Sequence, residues 1–314
     1  MKIYKNRMFG VENEHLSKER GFITIATGAE KYHKMAYTLL TSYRAKSAKP
    51  MRFCVITDRE NWWTEAFDDV VIIEDARGSY NDKIDLIVNS PYGETIFIDA
   101  DCIAYGDLNR YWSLFENASD ISAFGEILPL NQGGWFPDVN KIGEYRERVT
   151  YGINLHGGIY FFKKSETLNN VYCDCKKIMS EYHKFLFKDF AKPADEPVIA
   201  LAMASNHCKP IPVDPSYYVW LKRAKKIKVN FFSGKLEYCS GDDMVYDVSL
   251  LHFGTSRTIM PLYLAESSKV IFYDKKGRQY KFFEAVWNRI KSNCIGTILI
   301  ARYAWKLLNK RKHI

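Results

Sequence analysis

Short apolar runs alternate with amphipathic stretches along the first hundred residues of the chain. The apolar runs predict buried strands over residues 21–26, 52–57, 70–73 and 95–98. The stretches between them carry apolar residues at helical spacing and predict helices over residues 31–45, 62–67 and 82–88. An alternation of strands and helices is typical of a largely parallel sheet with covering helices. The pattern therefore predicts an α/β fold with a mostly parallel central sheet flanked by helices.

The pattern after residue 100 is less regular. It predicts strands over residues 122–125, 158–162 and 248–253, and helices over residues 109–115, 168–183 and 197–205. Residues 128–154 are rich in loop-forming residues and predict a long irregular segment that carries Trp135 and Phe136. So long an irregular segment in a compact domain usually has a function.

Two aspartates follow the strand that is predicted over residues 95–98. Asp99 comes directly after this apolar run, and Asp101 lies one residue further on. Ligands of open α/β sheets bind at the carboxyl ends of the strands, so both aspartates are predicted at the rim of a crevice. A divalent cation would relieve their mutual repulsion, and carboxylate oxygens suit Mg²⁺ or Mn²⁺ with a phosphate-bearing ligand. Because an Asp-x-Asp spacing also arises by chance, a solvated turn is the alternative interpretation.

The composition indicates how large a core the chain can form and in which redox environment it is found. The chain has 314 residues, of which 47% are hydrophobic and 15% aromatic, which is enough for one large domain with an appendage. Its seven cysteines are odd in number and several lie in apolar runs, so we expect free thiols and a reducing cytosol. The first twenty residues are polar and charged, and we expect no secretory signal.

Positive charge is concentrated at the end of the chain. Residues 275–314 hold eleven basic residues against Glu284 alone, whereas the formal net charge of the whole chain is +8. The preceding body is therefore slightly acidic. This distribution favours an anionic surface as the partner of the tail and speaks against a nucleic acid as the partner of the protein. A second basic run, residues 222–228, is typical of a solvated face.

Apolar residues of the tail recur at steps of three and four, which is the spacing of one helical face. The apolar run Ile295–Ile300 is too short to cross a bilayer of about 30 Å. We therefore predict a basic helical segment over residues 271–314 that lies on a membrane surface. The alternative is a final helix that packs on the preceding domain, with Trp287 and Trp305 in its core.

The turn after the first strand, Thr27-Gly28-Ala29-Glu30, contains a single glycine. A dinucleotide-binding dehydrogenase would carry Gly-x-Gly-x-x-Gly at this point, and a nucleotidyltransferase would carry a Gly-rich phosphate loop. The sequence has neither loop, so a diphosphate ligand would have to be neutralised by another group. A metal ion on Asp99 and Asp101 would supply this charge.

Together, these motifs resemble those of the GT-A glycosyltransferases. Within them they resemble family 8, which includes glycogenin and the bacterial lipopolysaccharide galactosyl- and glucosyltransferases. Over residues 21–257, Asp99-Ala100-Asp101 followed by Gly106-Asp107-Leu108 looks like the metal motif of the family. The segment from His252 through Gly254 to Arg257 is similar to its His-Phe-x-Gly-x-x-Lys, although it is one residue shorter and has Arg for Lys. The resemblance implies that Asp99, Asp101 and His252 bind Mn²⁺ and that Arg257 contacts the diphosphate, in a catalytic role. An imidazole beside two carboxylates suits Mn²⁺ better than Mg²⁺.

The resemblance also implies a donor-binding site. Tyr32 is similar to the aromatic residue that stacks on uracil, and Lys83 falls where the family has a lysine in the donor site. Asp195-Glu196 resembles the Asp-Gln pair beside the donor sugar, with Glu in place of Gln, and implies a catalytic role for both residues. By position alone, before Pro197, this pair is typical of the first turn of a helix. The implied donor-binding residues are Ala26, Thr27, Gly28, Tyr32, Lys83, Asp99, Ala100, Asp101, His156 (where Asn is usual), Gly157, Gly158 and Gly254.

The resemblance implies a GT-A type nucleotide-diphospho-sugar transferase fold and a metal-dependent transfer of a hexose. The donor would be a UDP-sugar, the acceptor a glycan or lipid-linked saccharide of surface polysaccharide or lipopolysaccharide, and the configuration would be retained. The expected domains are a polar extension over residues 1–20, a catalytic domain over 21–270 and a tail over 271–314 on the inner face of the membrane. Trp135 and Phe136 would contact the acceptor. A sugar-phosphate nucleotidyltransferase and a non-catalytic membrane-surface scaffold are the alternatives.

Overall fold

The structure is a computed structural model that describes residues 2–5, 19–76, 78, 82–130, 137–185, 187, 193–254 and 257–274. The predictions for Trp135, for Phe136 and for the tail from residue 275 onward lie outside the described residues. The chain divides into two compact units. The first comprises residues 1–40, 49–100 and 109–214, and the second comprises residues 41–48, 101–108 and 215–314.

The secondary structure of the described residues consists of strands, α-helices and short 3-10 turns. The strands are β1 (Lys2–Lys5), β2 (Arg20–Ala26), β3 (Phe53–Thr57), β4 (Asp69–Ile72), β5 (Glu94–Ile98), β6 (Cys102–Ala104), β7 (Ile121–Leu128), β8 (Gly152–Lys163), β9 (Tyr218–Trp220), β10 (Lys225–Asn230), β11 (Lys235–Ser240), β12 (Asp243–Val245) and β13 (Leu250–His252). The α-helices are α1 (Glu30–Lys46), α2 (Asp82–Asn89), α3 (Tyr111–Leu114), α4 (Glu166–Ser180), α5 (Asp195–Ser205) and α6 (Pro261–Tyr273).

The first unit is built on a seven-stranded sheet with the strand order β1-β4-β3-β2-β5-β8-β7. The first five strands in this order pair in parallel, while β8 runs antiparallel to both β5 and β7. All five residues of β3 are buried, as expected for a central parallel strand with both faces covered. The predicted α/β class with a mostly parallel central sheet is therefore confirmed.

Helix α5 lies in the interior of the first unit. Every residue of this helix except Glu196 is buried. A helix that is apolar on all sides belongs in a core, so a partly exposed carboxyl group, that of Glu196, is unusual in it. Asp195 and Glu196 form the first turn, as their position before Pro197 predicted.

The second unit contains two three-stranded sheets, β10-β11-β12 and β6-β13-β9. In the latter, β13 pairs antiparallel with β6 and parallel with β9. Helix α6 is tied to this unit by the buried carboxyl group of Glu266. This group accepts hydrogen bonds from the Tyr105 hydroxyl at 3.1 Å and from the Phe231 backbone N–H at 2.8 Å. None of the described helices is long and apolar enough to cross a membrane.

Several elements differ from the sequence-based expectation. The helix predicted over residues 109–115 is a 3-10 turn, Leu108–Arg110, followed by the single turn of α3. The irregular segment predicted over residues 128–154 is shorter, because β7 extends to Leu128 and β8 begins at Gly152, and the two strands pair along this length. Within the predicted polar extension, β1 adds a parallel edge strand beside β4.

Most secondary-structure elements of the second unit were not predicted from the sequence. Strands β9 to β12 and helix α6 had no prediction. Strands of three residues are too short to carry a period of two, and β10 presents lysines along its length. Lys225, Lys226 and Lys228 are exposed, so the prediction of a solvated face for the basic run is confirmed for these three residues.

Gly21 of β2 provides a test of packing against the central sheet. A Cβ atom at this position would lie 2.6 Å from Cζ of the buried Tyr92, whose hydroxyl donates a hydrogen bond to Asp69 Oδ2 at 2.8 Å. The ring cannot shift without loss of that bond. We expect Gly21→Ala to lower the free energy of unfolding by about 1–3 kcal/mol in urea denaturation. Gly106→Ala is the control, because its Cβ would meet Ser249 at 3.3 Å, and an equal loss in the two variants would contradict this account.

Candidate functional site

A half-buried lysine links two carboxyl groups in the first unit. Lys83 lies in the first turn of α2, and its Nζ is 2.7 Å from Asp99 Oδ1 and 3.4 Å from Asp195 Oδ2. The three side chains are only 13%, 14% and 6% exposed. The sequence around Asp99 offers no cation, but the fold supplies one from sixteen residues upstream. The repulsion that the sequence predicted at Asp99 is therefore offset by Lys83 before any metal binds.

Glu196 is held beside the same group by strand β8. Its Oε1 accepts a hydrogen bond from the Gly157 backbone N–H at 2.7 Å. A Cβ atom at Gly157 would lie 2.8 Å from Cδ of Glu196, so only glycine allows this approach. Asp99 is anchored to the same strand, because its backbone N–H donates to the Gly158 carbonyl at 3.0 Å. The structure thus brings together Lys83, Asp99, Gly157, Gly158, Asp195 and Glu196, and their roles in donor binding and catalysis stay a prediction.

Burial controls the protonation of this cluster. Burial, and next the charge of Asp195, raise the pKa of Glu196 to about 7, although Lys83 and the Gly157 N–H act in the opposite direction. Burial also raises the pKa of Tyr160 well above its usual range, so its hydroxyl stays protonated and donates to Asp195 Oδ2 at 3.3 Å. A carboxyl group with a pKa near neutrality can accept or release a proton at physiological pH.

The turn after β2 is fixed by two residues that the sequence analysis did not select. Gly28 has a φ of +79°, its N–H donates to Asp58 Oδ2 at 3.3 Å, and its carbonyl accepts from Arg59 Nη2 at 2.7 Å. Arg59 also pairs with Asp58 at 2.7 Å. These residues follow β3, which is the parallel neighbour of β2, so they reach the same edge of the sheet. Their position after a predicted strand was the signal that could have identified them.

The remaining residues of the first unit that were predicted to bind the donor lie in β2 and the turn after it, in α1, after β5 and in β8. Ala26 and Thr27 are buried, and the Thr27 hydroxyl donates to Asp82 Oδ2 at 2.8 Å. Tyr32 is half-buried in the first turn of α1, with the Lys31 ammonium 4.8 Å from its ring centroid. His156 is half-buried in β8, and Ala100 is buried after β5.

Strand pairing assembles a second group in the second unit. The register of β6 and β13 sets His252 opposite Cys102, and Cys102 directly follows Asp101 in the chain. His252 Nε2 lies 3.0 Å from Asp101 Oδ1. Its other ring nitrogen, Nδ1, is 2.6 Å from the Tyr218 hydroxyl. Trp220 of β9 is the strand partner of His252 on the other side of β13. Its ring stacks on the imidazole, with ring centroids 6.4 Å apart.

The second group fits a divalent cation. One ligand atom from each of Asp101, Cys102 and His252 lies within 4.8 Å of the others. A carboxylate oxygen and an imidazole nitrogen are suitable ligands for Mn²⁺. The thiol of Cys102 and the Tyr218 hydroxyl were not selected from the sequence, because their roles depend on pairing between distant strands. Asp99 belongs to the other compact unit, and its role as a further ligand stays a prediction from the Asp-x-Asp spacing.

The segment after β13 brings donors together around Gly254. This glycine has a φ of +77°, and its carbonyl accepts the Arg257 backbone N–H at 2.8 Å. A Cβ atom at Gly254 would lie 3.4 Å from Trp220 Nε1 and 3.7 Å from Arg257 Nη1. Both nitrogens are donors, which is the chemistry that an anionic group requires. The intervening residues 255 and 256 lie outside the described part of the chain.

The fold is similar to those of known glycosyltransferases. The apo structure of WbbM, a bifunctional glycosyltransferase, aligns with 90% of this chain at 11% identity and a TM-score of 0.53. The alignment covers 53% of WbbM, so this chain spans about half the length of that protein. An active-site mutant of LgtC aligns with 74% of the chain and 87% of its own length, at 11% identity and a TM-score of 0.47. Mouse xyloside xylosyltransferase 1 aligns with 76% of the chain and 98% of its own length, at 12% identity and a TM-score of 0.44.

By sequence, no protein-family model and no curated protein matches the chain. At 11% identity, the likeness to WbbM defines the fold alone. The fold is of the GT-A type, and this prediction of the fold is confirmed.

The raised pKa of Glu196 makes protein stability depend on pH. The folded state favours the protonated carboxyl group, so its contribution is fully present below the ordinary pKa of 4.5 and is lost as the pH rises through about 7. Glu196→Gln stays neutral and can still accept the Gly157 hydrogen bond. We expect its melting temperature to match that of the wild type near pH 5 and to be higher than that of the wild type near pH 8. The corresponding difference in the free energy of unfolding at pH 8 is on the order of 2 kcal/mol.

The control for this prediction is Glu65→Gln, at an exposed position of the same unit. Its melting temperature should follow that of the wild type at both pH values. Parallel curves for Glu196→Gln and the wild type between pH 5 and pH 8 would contradict the buried, protonated carboxyl group.

Proposed function

We propose that this protein is a metal-dependent glycosyltransferase that moves a hexose from a UDP-sugar to a glycan or lipid-linked saccharide. The observation that carries the proposal is the partly buried group of Lys83, Asp99, Asp195 and Glu196 at the carboxyl edge of the parallel sheet. Ligands of α/β sheets bind at this edge. The fold shared with the matched half of a bifunctional glycosyltransferase supports the same reaction class.

The nucleoside of the donor would bind beside the turn after β2. Tyr32 offers an aromatic ring for stacking on uracil, and the side chains of Asp58 and Arg59 hold both backbone groups of Gly28. A turn fixed in this way keeps one conformation without a ligand. Less conformational entropy is then lost when the donor binds.

Asp101 and His252 would hold the Mn²⁺ or Mg²⁺ ion of the second unit. A bound ion neutralises diphosphate charge and so makes UDP a better leaving group. On the spacing of the sequence motif alone, Asp99 is the further carboxylate ligand. Arg257 replaces the lysine of the family segment, and its guanidinium would bind a diphosphate oxygen as a charge-assisted donor.

Asp195 and Glu196 would serve the sugar. Asp195, whose Oδ2 lies 3.4 Å from the Lys83 ammonium group, would accept hydrogen bonds from sugar hydroxyl groups. Glu196, with its pKa of about 7, would exchange a proton with a hydroxyl group during transfer. Retention of configuration belongs to the proposal through the family resemblance only.

The acceptor side of the proposal rests on sequence. Trp135 and Phe136 would stack on an acceptor ring, and the basic segment from residue 271 would bind anionic lipid head groups on the cytoplasmic face of a membrane. These assignments match an acceptor that is lipid-linked, as in lipopolysaccharide or surface polysaccharide synthesis. The proposed catalytic domain comprises residues 21–270, and no nucleic-acid partner is proposed.

Calorimetric titration with UDP, with and without Mn²⁺, tests the metal assignment. We expect UDP binding that requires Mn²⁺ and that is more than about tenfold weaker in Asp101→Asn and in His252→Gln, because each variant loses a ligand of the ion. Asp99→Asn is the less suitable variant, since it would leave Lys83 without its nearest carboxylate. Asp243→Asn, at an exposed position of the same unit, is the control and should bind as the wild type does.

The same titration separates the alternatives. UDP binding that is independent of metal would overturn the metal site. A wild-type protein that binds no UDP would favour the non-catalytic scaffold. Release of pyrophosphate from UTP and a hexose 1-phosphate would identify a nucleotidyltransferase.

Removal of the tail tests the membrane assignment. A chain that ends at Tyr280 should keep Mn²⁺-dependent UDP binding but should no longer sediment with anionic lipid vesicles at low salt, because most of the basic residues of the tail are gone. Vesicles of neutral lipid are the control for the full chain. If the shortened protein unfolds or aggregates, the tail belongs to the core of the domain and the membrane assignment fails.

A further inference from the structure

The second unit contains a thiol that a site for Mn²⁺ does not need. Cys102 is fully buried, and its sulfur lies within 4.8 Å of the ligand atoms of Asp101 and His252. Strand register explains the approach, because Cys102 and His252 are direct partners across β6 and β13. Side chains of direct partners in an antiparallel pair are separated by about 5 Å at Cβ.

The three ligand types together select a different metal from the one that carboxylates alone would select. Mn²⁺ and Mg²⁺ prefer oxygen ligands, whereas thiolate and imidazole suit Zn²⁺. For a given set of ligands, Zn²⁺ also binds more tightly than Mn²⁺ in the general order of divalent metals. One oxygen, one nitrogen and one sulfur ligand would leave the fourth tetrahedral position for water or a substrate oxygen.

The surroundings of His252 prepare Nε2 to be the ligand. The Tyr218 hydroxyl contacts Nδ1 at 2.6 Å, and its oxygen can accept a hydrogen bond from the Nδ1–H group when Nε2 binds a cation. A hydrogen bond on the second nitrogen fixes both the tautomer and the orientation of a metal-binding imidazole. The ring of Trp220 lies beside the imidazole, with 24° between the two ring planes.

The three side chains differ in exposure. Those of Asp101 and His252 are 8% and 13% exposed, whereas Cys102 is fully buried. Binding converts the Cys102 thiol to a thiolate and releases one proton to solvent, with no change of oxidation state.

We propose that Asp101, Cys102 and His252 form a binding site for a thiophilic divalent cation, Zn²⁺ above all, which competes with Mn²⁺ for Asp101 and His252. The inference rests on the proposed function only through these two shared residues. Zn²⁺ bound to the thiolate would block the loading of Mn²⁺, so free Zn²⁺ would act as an inhibitor of UDP binding.

Titration of the full chain with Co²⁺, a spectroscopic substitute for Zn²⁺, tests the sulfur ligand directly. We expect a thiolate-to-cobalt charge-transfer band in the near ultraviolet that Zn²⁺ removes. The band should disappear in Cys102→Ser and persist in Cys173→Ser and Cys294→Ser, which control for other thiols. Zn²⁺ affinity, measured by competition with a chromophoric chelator, should fall by at least about tenfold in Cys102→Ser.

X-ray absorption of the Zn²⁺-loaded wild type keeps the test independent of how well the variants fold. It should find one sulfur at about 2.3 Å from zinc together with nitrogen and oxygen neighbours. Nitrogen and oxygen neighbours alone, or a charge-transfer band that Cys102→Ser leaves intact, would overturn the proposal. Mn²⁺-dependent UDP binding without a cobalt–thiolate band would refute this inference alone, and the band without UDP binding would refute the proposed function alone.

Discussion

The ion pair between Lys83 and Asp99 is the constraint on which the first unit depends. Asp99, Asp195 and Glu196 are three carboxyl groups in a mostly buried region, and such groups cannot all remain ionised without a compensating charge. One lysine at 13% exposure lies 2.7 Å from Asp99 and 3.4 Å from Asp195. Burial, and next the charge of Asp195, raise the pKa of Glu196 to about 7. The cluster therefore combines one ammonium group, which lies close to two carboxyl groups, with a third carboxyl group that titrates near neutrality.

Strand register has the same importance in the second unit. The short sheet β6-β13-β9 sets His252 opposite Cys102 on one side and Trp220 on the other. A slip of one residue would turn the imidazole to the opposite face of the sheet and separate it from Asp101. The ligand set is therefore a consequence of pairing among three strands of three residues each, which come from separate parts of the chain.

Of the substitutions that distinguish this chain from the family that it resembles, those at Glu196 and Arg257 change the chemistry of the side chain. Glu196 stands where glutamine is usual, and this change adds a titratable proton to the cluster. Arg257 stands where lysine is usual, and its planar guanidinium can bind two oxygens of one phosphoryl group. A similar fold at 11% identity gives no information on the roles of these two residues, because function depends on the residues of the site.

The sequence by itself determined the alternation of strands and helices, the position of Asp99 at the end of a buried strand, and the acidic first turn of α5. Each of these depends on residues that are close in the chain, where periodicity and helix-start signals operate. Only the tertiary structure decided that Lys83 pairs with Asp99, that Asp58 and Arg59 hold Gly28, and that Cys102 and Tyr218 meet His252. These contacts join residues that are sixteen or more positions apart, and strand order and register select them. Local patterns carry no record of register, which is why such contacts could not be predicted from sequence.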